Sequence, residues 1–331
     1  SAWRRCTAFP TGIALGASWD PELAREFGEA LAREAAAVGA HVVLGPAVNI
    51  CRTPLNGRTF EYFTEDPALN ARLAVACVQG IQSQGVAASI KHYAANNQET
   101  NRTRNSSQLS ERALREIYLP AFEAAVREAD VWSVMAAYNA VNGVAACENG
   151  ELLTDRLRHE YGFRGFVVSD WFAARRTGSA ASALRAGLNL EMPGKGSKYR
   201  AANLKKEFRA GAFSEAELDA CLEPLLRIWL RTQPSQRPPG QMQRNTPEHQ
   251  RLARRMATAS TRRTSPLCMK STPSTMPTGR AVRKLPDTTR TVALAIGVFG
   301  RPCEKAASIS KRNWPAASWA ASSATGSVMR R

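Results

Sequence analysis

The chain has 331 residues, 44% of them apolar, and a formal net charge of +17, which allows one large α/β barrel or two ordinary domains with a sizeable core. The charge is unevenly placed: residues 1–232 hold 27 Lys+Arg against 25 Asp+Glu, a net of +2, whereas residues 233–331 hold 18 against Glu248, Asp287 and Glu304, a net of +15. The front is therefore no basic nucleic-acid binder, no run reaches the length of a membrane span, and the seven scattered cysteines, without a C-x-x-C pair, argue against a zinc site or a disulfide framework.

Residues 12–39 carry the first helix signal. Asp20-Pro21-Glu22 offers a cap, a proline at the first helical position and an early acid, Leu23, Phe27, Ala30 and Leu31 follow helical spacing, and Gly39 closes the segment. Val42 to Ile50 reads as a buried strand leading into a loop with Arg52, Pro54, Gly57 and Arg58. Glu65-Asp66-Pro67 starts the next helix, with Leu69, Leu73, Ala76, Cys77 and Ile81 as its apolar stripe. A strand at Val86–Ile90 ends on Lys91-His92, and a polar segment from Asn96 to Gln108 precedes a helix from Ser110 to Val126. Then come a strand at Ser133–Ala137 ending on Tyr138-Asn139, a short helix through Leu152 and Leu157 to Gly162, and a strand at 166–170. A helix around 179–186 and a strand at Leu188–Pro193 complete the pattern.

Strand and helix alternate with short connections, as in parallel βαβ units. A doubly wound sheet could be written through the same elements, but no glycine-rich phosphate fingerprint follows any strand, so a TIM-like (β/α) barrel, probed at its strand tops, is preferred. Its strands end on polar residues: Arg52 with Arg58 beyond, Lys91 and His92, Tyr138 and Asn139, Asp170 and Trp171. Taken alone, Asp170 is open between helix cap and catalytic carboxylate. His92 taken alone reads as a core histidine, but beside Lys91 at a strand top as functional; Tyr138 is open between core packing and function, Trp171 taken alone reads as a lid on the core, and Arg58 and Arg102 as surface cations. Glu65-Asp66 reads as helix capping and Glu99 as loop structure.

After residue 232 the texture changes. Gln233 to Gly240 has a linker composition, residues 246–260 suit one more helix, and 261–331 reads as a basic, largely disordered tail. Only the apolar run Val292–Phe299 interrupts it. Charge alone makes no nucleic-acid site of this tail, since no aromatic interleaving accompanies it.

Several long motifs stand in order: Phe60-Glu61-Tyr62-Phe63-Thr64-Glu65-Asp66-Pro67, Lys91 to Glu99, Met135 to Gly143, and Val167-Val168-Ser169-Asp170-Trp171. Together they resemble the N-terminal barrel domain of glycoside hydrolase family 3, in its β-glucosidase-like branch, over roughly residues 7–230. The resemblance implies a retaining mechanism on a terminal β-D-glucosyl residue of a β-glucoside or short β-glucan, with no cofactor or metal, Asp170 as nucleophile, and Arg58, Lys91, His92 and Arg102 holding sugar hydroxyls. Tyr138 matches a tyrosine beside the nucleophile, and Trp171 would stack on the sugar. Such a cationic cluster is expected to lower the Asp170 pKa. The β-N-acetylglucosaminidase branch carries a Lys-His-Phe-Pro-Gly-type loop, which Lys91-His92-Tyr93-Ala94-Ala95 does not match. A periplasmic or secreted location is what the family favours, although no basic-then-apolar leader opens the chain.

The chain also departs from the family pattern. An upstream Asp-Gly-Pro segment and the first barrel strand are missing, and His249 to Ala257 resembles the helix that leads into the family's second domain. That domain supplies the acid/base glutamate in the β-glucosidase branch, and here Thr261 to Pro266 replaces its apolar continuation. The expectation is a barrel domain at 1–232, a linker and helix at 233–260, and a tail at 261–331. The second reading that follows is a remnant that binds sugar without completing hydrolysis.

Overall fold

The computed structural model describes residues 6–194, 198–232 and 244–263. These fall within the compact unit Ser1–Phe299; a second unit, Gly300–Arg331, lies outside the described residues, as do the expected linker at 233–240 and most of the expected tail. The main elements are α1 (Pro21–Ala36), β1 (Val42–Val43), α2 (Pro67–Ser83), β2 (Ala87–Tyr93), α3 (Pro120–Arg127), β3 (Ser133–Ala136), β4 (Phe166–Ser169), α4 (Ala180–Ala186), α5 (Ala201–Arg209), α6 (Glu215–Arg231) and α7 (Pro247–Arg263).

The two Asp-Pro starts behave as expected. Asp20 Oδ1 accepts from Leu23 N at 3.1 Å and Asp66 Oδ1 from Leu69 N at 2.7 Å, so each carboxylate satisfies a donor that the first helical turn leaves unpaired. The helices α1 and α2 then cross closely because glycines face backbone: a Cβ on Gly28 would lie 2.4 Å from Cys77 O, and one on Gly80 would lie 2.2 Å from Arg25 O.

The four strands pair in chain order, β1-β2-β3-β4, all parallel. Leu190 adds a parallel bridge to Val168. Successive side chains alternate between two cores. Val43, Ala88, Ile90, Val134 and Val167 join the helices in the larger one, with Leu73, Cys77, Ile81 and Phe122. Leu44, Ala87, Met135, Phe166 and Val168 pack on the other face against Ile228 and Leu225 of α6. Parallel strands covered on both faces explain why their sequences are continuously apolar. Among the described residues the strands form an open arc; they do not close into a barrel.

Several elements differ from the sequence expectations. The strand expected over 42–50 is hydrogen-bonded as a strand only at Val42–Val43, since Pro46 lacks an N–H, and resumes as a bridge from Ala47 to Lys91. The strand expected at 188–193 is reduced to the bridge at Leu190. The single helix expected over 110–126 is divided into Glu111–Ala113, a π-helical turn at Leu114–Tyr118, and α3, which begins on Pro120. The helices α5 and α6 were not foreseen, although Ser214 and Glu217 form a capping box in plain view. The helix read at 246–260 is α7, anchored by buried Leu252 and Met256.

A small second sheet stands beyond the strand ends. Ser106–Ser107 pairs parallel with Ala140–Val141, which turns back antiparallel onto Val144–Ala145. Asn142 and Gly143 make that two-residue turn with φ of 48° and 92°, the left-handed pair that Asn-Gly accepts at low cost. No helix among the described residues is long and apolar enough to cross a membrane.

Candidate active site

The C-terminal ends of β2, β3 and β4 deliver Lys91 and His92, Tyr138, and Asp170 to one place. In β2 the register shifts between Lys91 and Tyr93, so His92 is an extra residue in the ladder. Lys91 and His92 are neighbours that a regular pleat would send to opposite faces, and the irregularity re-aims them so that both reach the same cluster.

Asp170 is 7% exposed. Its Oδ1 accepts from its neighbour's backbone, Trp171 N, at 2.7 Å, and it caps no helix. That removes the capping alternative. Its Oδ2 lies 3.8 Å from Arg58 Nη1 and 3.5 Å from His92 Nε2, and both Oδ2 and Arg58 Nη1 are buried with no hydrogen-bond partner. Tyr138 stands beside the Asp170 carboxylate and contributes to lowering its pKa.

His92 is held from two sides. Its Nδ1 lies 3.2 Å from Asn49 Oδ1, which also accepts from His92 N at 2.9 Å, while Asn49 Nδ2 donates to His92 O at 2.9 Å. Asn49 Oδ1 can only accept, so the proton sits on Nδ1 and leaves Nε2 to accept from Arg58 Nη2 at 2.7 Å. Burial, then the charges of Arg58, Lys91 and Arg102, push the imidazole pKa well below its ordinary value, so His92 is neutral. No imidazolium cation therefore faces Asp170.

Glu61 completes the cluster. It accepts from Arg58 Nε at 2.5 Å and lies 3.5 Å from Lys91 Nζ. Burial lowers the Lys91 pKa, and the charge of Glu61 restores part of it. The expectation that the cations would lower the Asp170 pKa is corrected. Burial raises it, and Arg58, the Trp171 N–H, Lys91 and Tyr138 offset only part of that rise. With His92 neutral and Arg58 shared with Glu61, the attraction is weaker than four cations would give.

Arg102 reaches the cluster through Tyr138: its guanidinium lies 4.5 Å over the Tyr138 ring and is tied to Glu99 Oε2 at 3.0 Å. Tyr138 is buried, and burial followed by the Asp170 charge pushes its hydroxyl pKa up. Trp171 is half-buried and packs against both hydrophobic cores. The loop that carries Arg102 is fastened by groups that sequence reasoning passed over. Arg176 donates to the carbonyls of Asn105 at 2.9 Å, Tyr138 at 3.2 Å and Arg104 at 3.3 Å, and Ser107 Oγ donates to Ala95 O at 2.9 Å. Glu61 and Asn49 were also passed over, though Glu61 stands three residues after Arg58 and Asn49 near a strand end.

Among the described residues no group of three or more His, Cys, Asp or Glu is placed to hold a metal ion. Of the described cysteines, Cys51, Cys77, Cys147 and Cys221 are buried thiols and Cys6 is exposed.

The chain resembles known proteins over most of the described residues. It is 47% identical over 222 residues to an exo-α-(1→6)-L-arabinopyranosidase from Bifidobacterium longum, covering 67% of this chain and 28% of that protein. It is 55% identical over 190 residues to a β-glucosidase from Rhizobium radiobacter, covering 57% of this chain and 23% of that protein. The structure of β-glucosidase 3B from Thermotoga neapolitana in complex with α-D-glucose matches with a TM-score of 0.73 at 41% identity, over 77% of this chain and 36% of that one. The chain thus spans about a quarter to a third of the length of these relatives. The model of the glycosyl hydrolase family 3 N-terminal domain matches residues 1–228, and the chain belongs to that family of glycosidases.

Proposed function

We propose that this site binds the terminal sugar of a β-glucoside or short β-glucan oligosaccharide and that Asp170 is the nucleophile of a retaining glycosidase. One observation carries the reading: a buried carboxylate oxygen, Asp170 Oδ2, has no hydrogen-bond partner while Oδ1 is fixed by Trp171 N. An oxygen so oriented and uncommitted is what attack on an anomeric carbon requires. Tyr138 lies beside the carboxylate, Arg58, Lys91, His92 and Arg102 supply donors or acceptors for sugar hydroxyls, and Trp171 offers its ring face to the sugar. Above the raised pKa of Asp170 the carboxylate is ionised and its attack forms a glycosyl ester with expulsion of the aglycone. The parallel arc at residues 1–232 is, on this reading, the site-bearing part of a TIM-like barrel domain.

The relatives' names concern two sugars, β-glucose and α-L-arabinopyranose. In their usual chairs both present an equatorial bond at the anomeric carbon, so the substrate class is a terminal pyranoside of that geometry.

A second reading has its own observation. Retaining hydrolysis needs a proton donor as well as a nucleophile, and the neighbouring carboxylates are engaged by cations: Glu61 by Arg58 and Lys91, Glu99 by Arg102. On that reading the chain by itself only binds sugar. A dinitrophenyl β-glucoside separates the cases, because its leaving group needs little acid help. The proposal expects a burst of dinitrophenolate that disappears in Asp170→Asn. Sugar binding with no burst favours the binding reading, and a burst that survives the substitution removes Asp170 from the mechanism.

A further inference from the structure

We propose that Glu61 is a positioning residue that keeps the reactive oxygen of Asp170 uncommitted by drawing Arg58 and Lys91 toward itself. The inference rests on the reading of Asp170 as nucleophile and extends it to a residue outside the set expected to touch sugar.

The geometry of the Arg58 guanidinium carries the argument. Glu61 ends the turn Thr59–Glu61, three residues after Arg58, and accepts from Arg58 Nε at 2.5 Å. Arg58 Nη2 is given to His92 Nε2 at 2.7 Å. Two corners of the planar fork are thus fixed. The third, Nη1, points at Asp170 Oδ2 and stops 3.8 Å away, outside hydrogen-bond range. Arginine and carboxylate ordinarily settle into a direct pair at roughly 2.7–2.9 Å, and here both atoms are buried and neither has a hydrogen-bond partner. Glu61 supplies the restraint. Its second oxygen, 3.5 Å from Lys91 Nζ, draws on the other cation of the cluster as well.

Without the Glu61 carboxylate, the fork is free to slide by about 1 Å and close on Asp170 as an ordinary ion pair. A carboxylate tied into such a pair is a poorer nucleophile, because the electron pair needed for attack is already accepting a hydrogen bond. The other groups that face Asp170 leave this logic intact. They are the Trp171 N–H, the Tyr138 hydroxyl and neutral His92 in contact, with Lys91 and the Cys147 and Tyr62 side chains in its electrostatic surroundings.

The test compares the full chain with Glu61→Gln, which keeps the shape and one acceptor but removes the charge. Crystal structures report the Arg58–Asp170 distance. Carbon-13 carboxylate NMR titration, with Asp170→Asn identifying the resonance, reports the ionisation of Asp170. The proposal expects the Arg58–Asp170 distance in Glu61→Gln to fall into hydrogen-bond range and Asp170 to ionise at lower pH than in the wild type. It also expects the dinitrophenolate burst to slow by roughly tenfold while glucose affinity changes less. An unchanged distance and titration in the folded variant overturn it. If the wild type shows no burst, the glycosidase reading fails, yet the distance and the titration still decide the role of Glu61. Should Glu61→Gln fail to fold, Glu61→Asp, one methylene shorter, is expected to shift both in the same direction, and no shift there overturns the proposal.

Discussion

Replacing Asp170 with asparagine should abolish the chemistry and stabilise the fold at neutral pH. The carboxylate is 7% exposed, and its nearest cationic atom, Arg58 Nη1, is 3.8 Å away. At that separation, and with an effective dielectric constant of about 20, the gross attraction is roughly 4 kcal/mol. Removing a carboxylate from water costs several kcal/mol, and here burial outweighs its partners, so the folded-state pKa is raised. The sign follows. A group whose folded pKa lies above its unfolded value favours folding at low pH, and that contribution is lost as pH rises through the folded pKa. At neutral pH the ionised Asp170 is therefore a net burden. Asparagine keeps the oxygen that accepts from Trp171 N and removes the charge. The expected gain at pH 7 is on the order of 1 kcal/mol, or about 2–4 °C in Tm for a fold of this size. Thermal unfolding of both proteins between pH 4 and pH 8 is the assay: the advantage of Asp170→Asn should grow with pH. A variant less stable than wild type at pH 7, with a gap independent of pH, would refute the reasoning and show that Arg58 and its neighbours more than offset the burial.

Other perturbations test the scaffold. Gly80→Ala places a Cβ 2.2 Å from Arg25 O in the α1–α2 crossing and should cost about 1–3 kcal/mol in thermal or urea unfolding, whereas Gly150→Ala, with nothing within 4 Å, should be close to neutral. Arg176→Ala removes the clamp between the Arg102 loop and Tyr138; hydrogen bonds from a charged group are worth about 1.5–3 kcal/mol, and glucose affinity by fluorescence titration should fall with partial recovery in Arg176→Lys. Glu34 is buried against Thr7, His249 and Asn245; burial raises its pKa, but the hydrogen bonds from those groups outweigh it and hold the carboxyl below the usual range. That contribution is present above the unfolded value of roughly 4.3 and is lost as pH falls through the folded pKa. The Tm difference between wild type and Glu34→Gln should accordingly be largest above pH 5 and shrink toward pH 3.

The alternation of elements was legible because parallel strands buried on both faces leave continuous apolar runs, and Asp-Pro pairs announce α1 and α2. The polar strand ends at Lys91-His92, Tyr138 and Asp170 pointed to the candidate site for the same reason: polar groups after buried strands need a common destination. Where the sequence misled, long-range geometry decided. Leu188–Pro193 has the composition of a strand, but only Leu190 forms a strand bridge. His92 counted as a cation until the contact with Asn49, 43 residues away, fixed its proton on Nδ1 and burial made it neutral. The direction of the Asp170 pKa depends on how deeply the carboxylate is buried and on Glu61 sharing Arg58, neither of which spacing reveals. Arg176 is invisible in the same way, because its partners are backbone carbonyls of a loop about 70 residues earlier. The capping box at Ser214 and Glu217, by contrast, was readable and marks α6 without any structure.

The central claim is that Asp170 is the nucleophile, and covalent trapping tests it most directly. The full chain is incubated with a dinitrophenyl 2-deoxy-2-fluoro-β-glucoside, whose fluorine slows release of the glycosyl-enzyme, then digested and mapped by mass spectrometry. The account predicts one fluoroglucosyl adduct on the peptide carrying Val167-Val168-Ser169-Asp170-Trp171, located on Asp170 and absent from Asp170→Asn. An adduct on another carboxylate, or full occupancy of the site by glucose with no adduct on Asp170, would contradict it.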